Sequence, residues 1–272
     1  ETEFIDKWDN WVYSVEGRVF ANGQQSHNYL NGYSEISASR ITQDWKFDFE
    51  INGSKTENRF DTGSEIYKTN SVSKGVNSHL INSISDHISA GVWTGLNSST
   101  FNNLNYSGFI NPKFEYSIFP YSESTRRQLR IEYGVQQKFN QYMDTTIYLK
   151  TDEWLSSQSA KISLELVQPW GRISTNLFGM HYLHNFSLNY LNLGTYLSLN
   201  IIKGLNLNLY GNIAYVHNQV ELQAMSSSLT DILLQQKQQE TEYNYYLSVG
   251  FSYSFGALYN NIVNPRFGNG WH

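Results

Sequence analysis

The chain has no cysteine and only four prolines in 272 residues. Without cysteine there can be no disulfide scaffold and no thiolate metal site. Charge is also scarce. Asp, Glu, Lys and Arg make up 16% of the residues, and the net charge is −5. That balance leaves no basic footprint and argues against nucleic acid as a partner. No apolar run approaches the ~18 residues that a membrane helix needs. No basic start followed by an apolar stretch is visible, so the leader of an exported chain is expected to have been removed already. These absences still leave a membrane open, because barrel strands carry apolar residues only at every second position.

The bulk is aromatic: 20 Tyr, 15 Phe and 7 Trp. The clearest pattern is the last strand, Glu242 to Phe255. Tyr243, Tyr245, Leu247, Val249, Phe251, Tyr253 and Phe255 alternate there with Asn244, Tyr246, Ser248, Gly250, Ser252 and Ser254. Strands of soluble proteins average about five or six residues. A longer strand, apolar on one face and small and polar on the other, suits a sheet between lipid and water.

The same period recurs along the chain. Trp11, Tyr13, Val15 and Val19 oppose Ser14, Glu16 and Arg18, and Trp45, Phe47, Phe49 and Ile51 oppose Lys46, Asp48, Glu50 and Asn52. Leu129, Ile131, Tyr133 and Val135 oppose Arg130, Glu132 and Gln136, and Leu191 to Ile201 alternate with Asn192 to Asn200. Between Lys55 and Ser85 the pattern blurs, and we read one strand near Arg59–Thr69 and another near Val72–Ser85. A short strand is read at Ile147–Asp152. Pro112 within a strand predicts a bulge or a locally unpaired site.

The fold class expected is all-β: a transmembrane antiparallel up-and-down β-barrel of about fourteen strands, with twelve as the alternative. Residues 11–255 form the barrel, 1–10 a lead and 256–272 a tail. The tight turns Gln168–Gly171 and Ile202–Gly204 are placed in the periplasm, and the longest connection, His217–Thr241, outside. Within it, Ser228 is read as a helix cap with Asp231 three residues on and Leu229, Ile232 and Leu233 along one face. The loop is either a self-packed surface loop or a lid or partner contact. A lectin-like jelly roll is the soluble alternative. Aromatic residues near strand ends favour the membrane, because amphipathic rings settle at the two rims of an apolar band.

Ser248, Gly250, Tyr253 and Phe255 resemble the assembly signal in the closing strand of bacterial outer-membrane barrels, although seventeen residues follow Phe255. The stretch Leu258 to Gly268 resembles the ends of outer-membrane proteins of Bacteroidota. Arg126 to Tyr133, followed by Thr146 to Tyr148, is similar to the group of salt-induced outer-membrane proteins. The resemblance implies a barrel in the outer membrane of a Gram-negative bacterium, with lipid around it and the barrel-assembly machinery as a partner during biogenesis. It brings no catalytic residue and no cofactor.

The one enzyme-like pair is His87-x-Ser89, two residues apart on one strand face as in lipid hydrolases. An ordinary hydrogen-bonding pair in the lumen is the plainer reading, and no enzyme activity is expected. His181 and His184, three apart at a turn, are read as polar turn residues rather than metal ligands. The coherent set is a row of inward charges: Glu16, Arg18, Lys46, Asp48, Glu50, Lys113, Glu115, Arg130, Glu132, Lys150, Asp152, Lys161 and Glu165. They read either as a mixed-charge constriction that filters solutes or as an ion-pair network that stiffens the wall. The functions expected, in order, are a narrow passive channel, an accessory subunit of a larger outer-membrane assembly, and a lipid hydrolase.

Overall fold

A computed structural model describes residues 7–224 and 238–256. The helix expected at Ser228 to Leu233 and the tail stretch Leu258 to Gly268 lie outside the described residues.

Twelve strands form one antiparallel sheet in which spatial order is sequence order. They are β1 Trp11–Gln24, β2 His27–Ile41, β3 Trp45–Asp61, β4 Ile66–Ser83, β5 Ile88–Ser99 and β6 Leu104–Ser117, then β7 Arg127–Tyr142, β8 Asp152–Gln168, β9 Gly171–Tyr182, β10 Asn189–Ile202, β11 Leu205–Val216 and β12 Tyr243–Tyr253. A single 3₁₀ turn, Tyr121–Glu123, lies between β6 and β7. This is an up-and-down β-barrel of the transmembrane type with twelve strands, not fourteen.

Both surplus strands have physical explanations. The blurred region is one long hairpin. β3 and β4 meet at Thr62–Glu65, where Gly63 takes φ +83° and the Thr62 N–H donates to the Glu65 carbonyl at 2.9 Å. At about 3.3 Å per residue these strands far exceed the apolar thickness of a bilayer. On the outward face of β3, Trp45, Phe47, Phe49 and Ile51 give way to Gly53, Lys55, Glu57 and Arg59. Lys55 pairs with Glu57, and Arg59 lies 4.0 Å from Asp61. The upper half of the hairpin therefore leaves the apolar band and loses the alternation that would mark it. The second surplus strand, Ile147–Asp152, is a turn. The Leu149 N–H donates to the Thr146 carbonyl at 2.8 Å, and Leu149 takes φ +59°. A few alternating residues suffice to mimic a strand, but a left-handed residue ends one.

Pro112 gives no bulge. Ile110 faces Gln137 and Lys113 faces Gly134, so the register is continuous, while Asn111 and Pro112 drop out of the ladder with β7. Proline has no N–H to give.

The apolar faces point outward. Val135, Leu193, Leu247 and Phe251 are exposed, Phe251 to 79%. Trp45 is 49% exposed, so its row does not form a compact interior as a jelly roll would require. The buried hydrophobic cluster lies instead at one end of the sheet, where Leu155, Tyr182 and Val220 pack with Met180 and Leu188. Among the described residues no ladder joins β1 to β12, and nearly every residue of these two strands is exposed on both faces. The barrel thus has an unlaced seam.

Candidate functional site

Ladder register decides which charges share the inner face. Glu115 on β6 stands opposite Glu132 on β7, which stands opposite Lys161 on β8. Asp48 on β3 stands opposite His79 on β4, which stands opposite Trp93 on β5. Alternation then places Lys46, Glu50, Lys113, Arg130 and Glu165 on the same face. Glu16 and Arg18 also share it, but at the seam, where both are more than half exposed and 3.7 Å apart. Lys150 and Asp152 do not. Lys150 lies in the turn after β7, and Asp152 opens β8 on the outward face.

The central charges are interlaced. Lys161 Nζ lies 3.1 Å from Glu132, Arg130 lies 3.8 Å from Glu115, and Lys46 lies 3.5 Å from Asp48. Glu165 pairs with Arg172. Solvent-accessible pairs of this kind contribute about 0–1 kcal/mol each. Stability alone is therefore a weak reason to keep them. They surround a cavity of about 370 Å³ lined by Lys46, Ser89, Trp93, Lys113, Glu115, Arg130, Glu132 and Lys161 among others.

Tyr121 closes this cluster at the turn end. Its hydroxyl donates to Glu115 at 2.7 Å and meets Ser89 Oγ at 3.0 Å. Burial and the hydrogen bond to the Glu115 carboxylate push its pKa up to about 12, so it stays a neutral donor across the physiological range. Ser89 is thereby taken up by Tyr121. His87 lies in the turn before β5, and its Nδ1 donates to the Ser117 carbonyl at 2.7 Å. The two have separate partners, with no nucleophile–base hydrogen bond between them among the described residues. His181 accepts from the Gln158 amide at 2.7 Å, while the His184 ring lies tilted beside Tyr182, centroids 5.6 Å apart. No group of three potential metal ligands converges among the described residues.

At the opposite end, three connections form a cap. Asn103, between β5 and β6, takes φ +57° and is 2% exposed. Its carboxamide donates to the carbonyls of Asp144 at 2.8 Å and Glu221 at 3.1 Å, and accepts from the Asp144 N–H at 2.8 Å. The β11–β12 connection extends the join: the Ile147 N–H donates to Leu222, and the Ala224 N–H to Thr145, each at 2.8 Å. Val220 and Leu222 are buried there. Glu221 sits within reach of Lys138 on β7, beside Tyr142 and Tyr182, and the Gln238 side chain hydrogen-bonds it. Burial raises its pKa, and the Lys138 ammonium partly offsets the rise.

Several inner-face residues escaped the reading of the sequence: His79, Lys138, Glu153 and Arg172. Lys138 continues the series Arg130, Glu132, Gly134, Gln136, and running that strand to Tyr142 would have found it. Glu221 and Tyr121 lie on connections, where no period points inward.

No family model matches the chain, and no curated protein matches it either. Among solved structures, the chain is similar to the NanC porin at 9% identity and TM-score 0.36, covering 90% of this chain and 99% of that one. It is also similar to the translocator domain of the autotransporter NalP from Neisseria meningitidis at 8% identity and TM-score 0.36, covering 90% and 87%. Likenesses this distant carry nothing about activity.

Proposed function

We propose that this chain is an outer-membrane β-barrel that serves as a narrow passive channel for small solutes. The observation that carries the reading is the charged cavity within the wall. A barrel whose only task was to span the membrane could fill this space with apolar side chains. Here paired charges and polar groups surround about 370 Å³ of open volume. Residues 218–224 of the β11–β12 connection act as part of a cap on the mouth. Lipid surrounds the outer face, and the barrel-assembly machinery recognises the last strand. Of the signal residues, Ser248 and Gly250 sit on the inner face of β12, Tyr253 ends the strand, and Phe255 follows it with its ring 5.5 Å from that of Tyr253. Folded protein reconstituted in planar bilayers should give discrete conductance steps, and a folded preparation that stays silent would defeat the proposal.

A second reading, a subunit of a larger outer-membrane assembly, draws on the seam. Unpaired N–H and C=O groups cannot be left facing lipid. The free edges of β1 and β12 must pair with each other or with another strand. Gentle native extraction separates the cases: recovery solely as a free monomer removes the second.

A further inference from the structure

Lys113 stands between two glycines. Gly91 on β5 and Gly134 on β7 face it across the two ladders. A Cβ on Gly134 would lie 2.9 Å from Lys113 Cγ and 2.9 Å from Asn111 Oδ1, and a Cβ on Gly91 would lie 3.0 Å from the Trp93 ring. The bare backbone at these two positions lets the Lys113 stem and the Trp93 ring lie close against the wall, beside the recess of about 370 Å³. Its Nζ lies 4.4 Å from the centroid of Trp93, and the His79 ring stacks near the same indole at 5.8 Å.

The charges in the recess do not cancel. Four cations line it, Lys46, Lys113, Arg130 and Lys161, with two carboxylates, Glu115 and Glu132. Lys46 is matched by Asp48, Arg130 by Glu115 and Lys161 by Glu132. Lys113 has no carboxylate at ion-pair distance among the described residues, although it is half-buried. Arg130 Nε is buried and has no hydrogen-bond partner, and Asn111 Oδ1 is in the same state. Glu132 acts on Lys113 only from beyond ion-pair distance, and a half-buried ammonium matched so weakly favours an anionic visitor.

We propose that this recess binds a small solute through a single carboxylate, held by Lys113 with the Arg130 Nε–H as second donor. One unmatched cation suits one negative charge. A dianion would be repelled by Glu115 and Glu132, which already hold the neighbouring cations. The proposal rests on the channel reading for access of the solute to the inner face. Binding itself can be measured without flux.

The test uses folded protein in detergent micelles titrated calorimetrically with lactate, its neutral amide lactamide, and inorganic phosphate. Lactate should bind, with lactamide and phosphate each at least about tenfold weaker. Lys113→Met should weaken lactate by about tenfold or more, and Lys113→Arg should restore it, with circular dichroism reporting folding in each case. Gly134→Ala, which keeps every charge but crowds the Lys113 stem, should also weaken lactate. Lactate-dependent quenching of tryptophan emission should vanish in Trp93→Phe. Equal binding of lactate and lactamide, tighter binding of phosphate, or an unchanged constant in folded Lys113→Met would each overturn the site. A protein that binds lactate but never conducts keeps the site and loses the channel, while conduction without lactate binding does the reverse.

Discussion

The carboxamide of Asn103 donates to the backbone carbonyl of Glu221 at 3.1 Å, which ties the β5–β6 turn to a connection more than a hundred residues further along the chain. The same amide holds Asp144 from both sides. One buried side chain thus locks three connections over the mouth. It can do so because asparagine tolerates the left-handed backbone that the turn requires.

Replacing Asn103 with Ala removes these three hydrogen bonds, all made by a side chain that is itself buried. The expected cost is about 2–3 kcal/mol, at ~1 kcal/mol per bond. Denaturant titration of the reconstituted protein measures it. Residues 218–224 should exchange amide hydrogens faster in the variant, while the ladders of β7 and β8 stay protected.

The cap should respond to acid. Burial lifts the Glu221 carboxyl above its ordinary value of 4.5, so the docked connection holds a proton more tightly than the released one. Docking is then firmest below the ordinary carboxylate value and weakens as pH rises through the raised one. Lys138, Tyr142, Tyr182 and the Gln238 amide face the group, and the Lys138 ammonium limits the effect. Channel opening should be rarer at pH 4 than at pH 7.5. In Glu221→Gln the two should converge on the low-pH behaviour. A wild-type record indifferent to pH would remove Glu221 from the cap's control.

The outward face gives a test of depth. Ile131 on β7 lies among exposed apolar neighbours, Tyr116 on β6 and Ile162 on β8, whereas Glu57 lies on the same face of β3 but above the apolar band. Ile131→Lys should cost about 2–4 kcal/mol in a bilayer. Glu57→Lys should cost under about 1 kcal/mol, since it disturbs only an exposed pair. Equal costs would mean that lipid does not meet the β7 face.

Lys161 and Glu132 test whether the interlaced charges line a path. Lys161→Met leaves the Glu132 carboxylate, 17% exposed, without its partner at 3.1 Å. Reversal potentials in a salt gradient should then move toward cation preference. Glu132→Gln should move them the other way. If neither shifts in a conducting protein, the current runs elsewhere.

Most of the architecture was legible because alternation and lipid impose the same period. Trp45 to Ile51 shows its faces because that part of β3 meets the apolar band. Lys55 to Asp61 hides them because water meets both sides, so a single hairpin looked like three strands. The charges of β3, β6, β7 and β8 could be assigned by parity alone. Lys150 and Asp152 could not, since a turn at Thr146–Leu149 resets the parity. Gly91 and Gly134 were invisible as a pair, because only the ladders place them on either side of Lys113. The bonds of Asn103 are tertiary, and no local pattern announces them.

Among the described residues every ladder joins strands adjacent in sequence, and the outer edges of β1 and β12 remain free. Each of the eleven joins can zip locally, at little cost in chain entropy. Whatever strand finally meets those two outermost edges must find them from far along the polypeptide. That encounter should set the pace of assembly, and until it happens lipid would face two rows of unsatisfied amides.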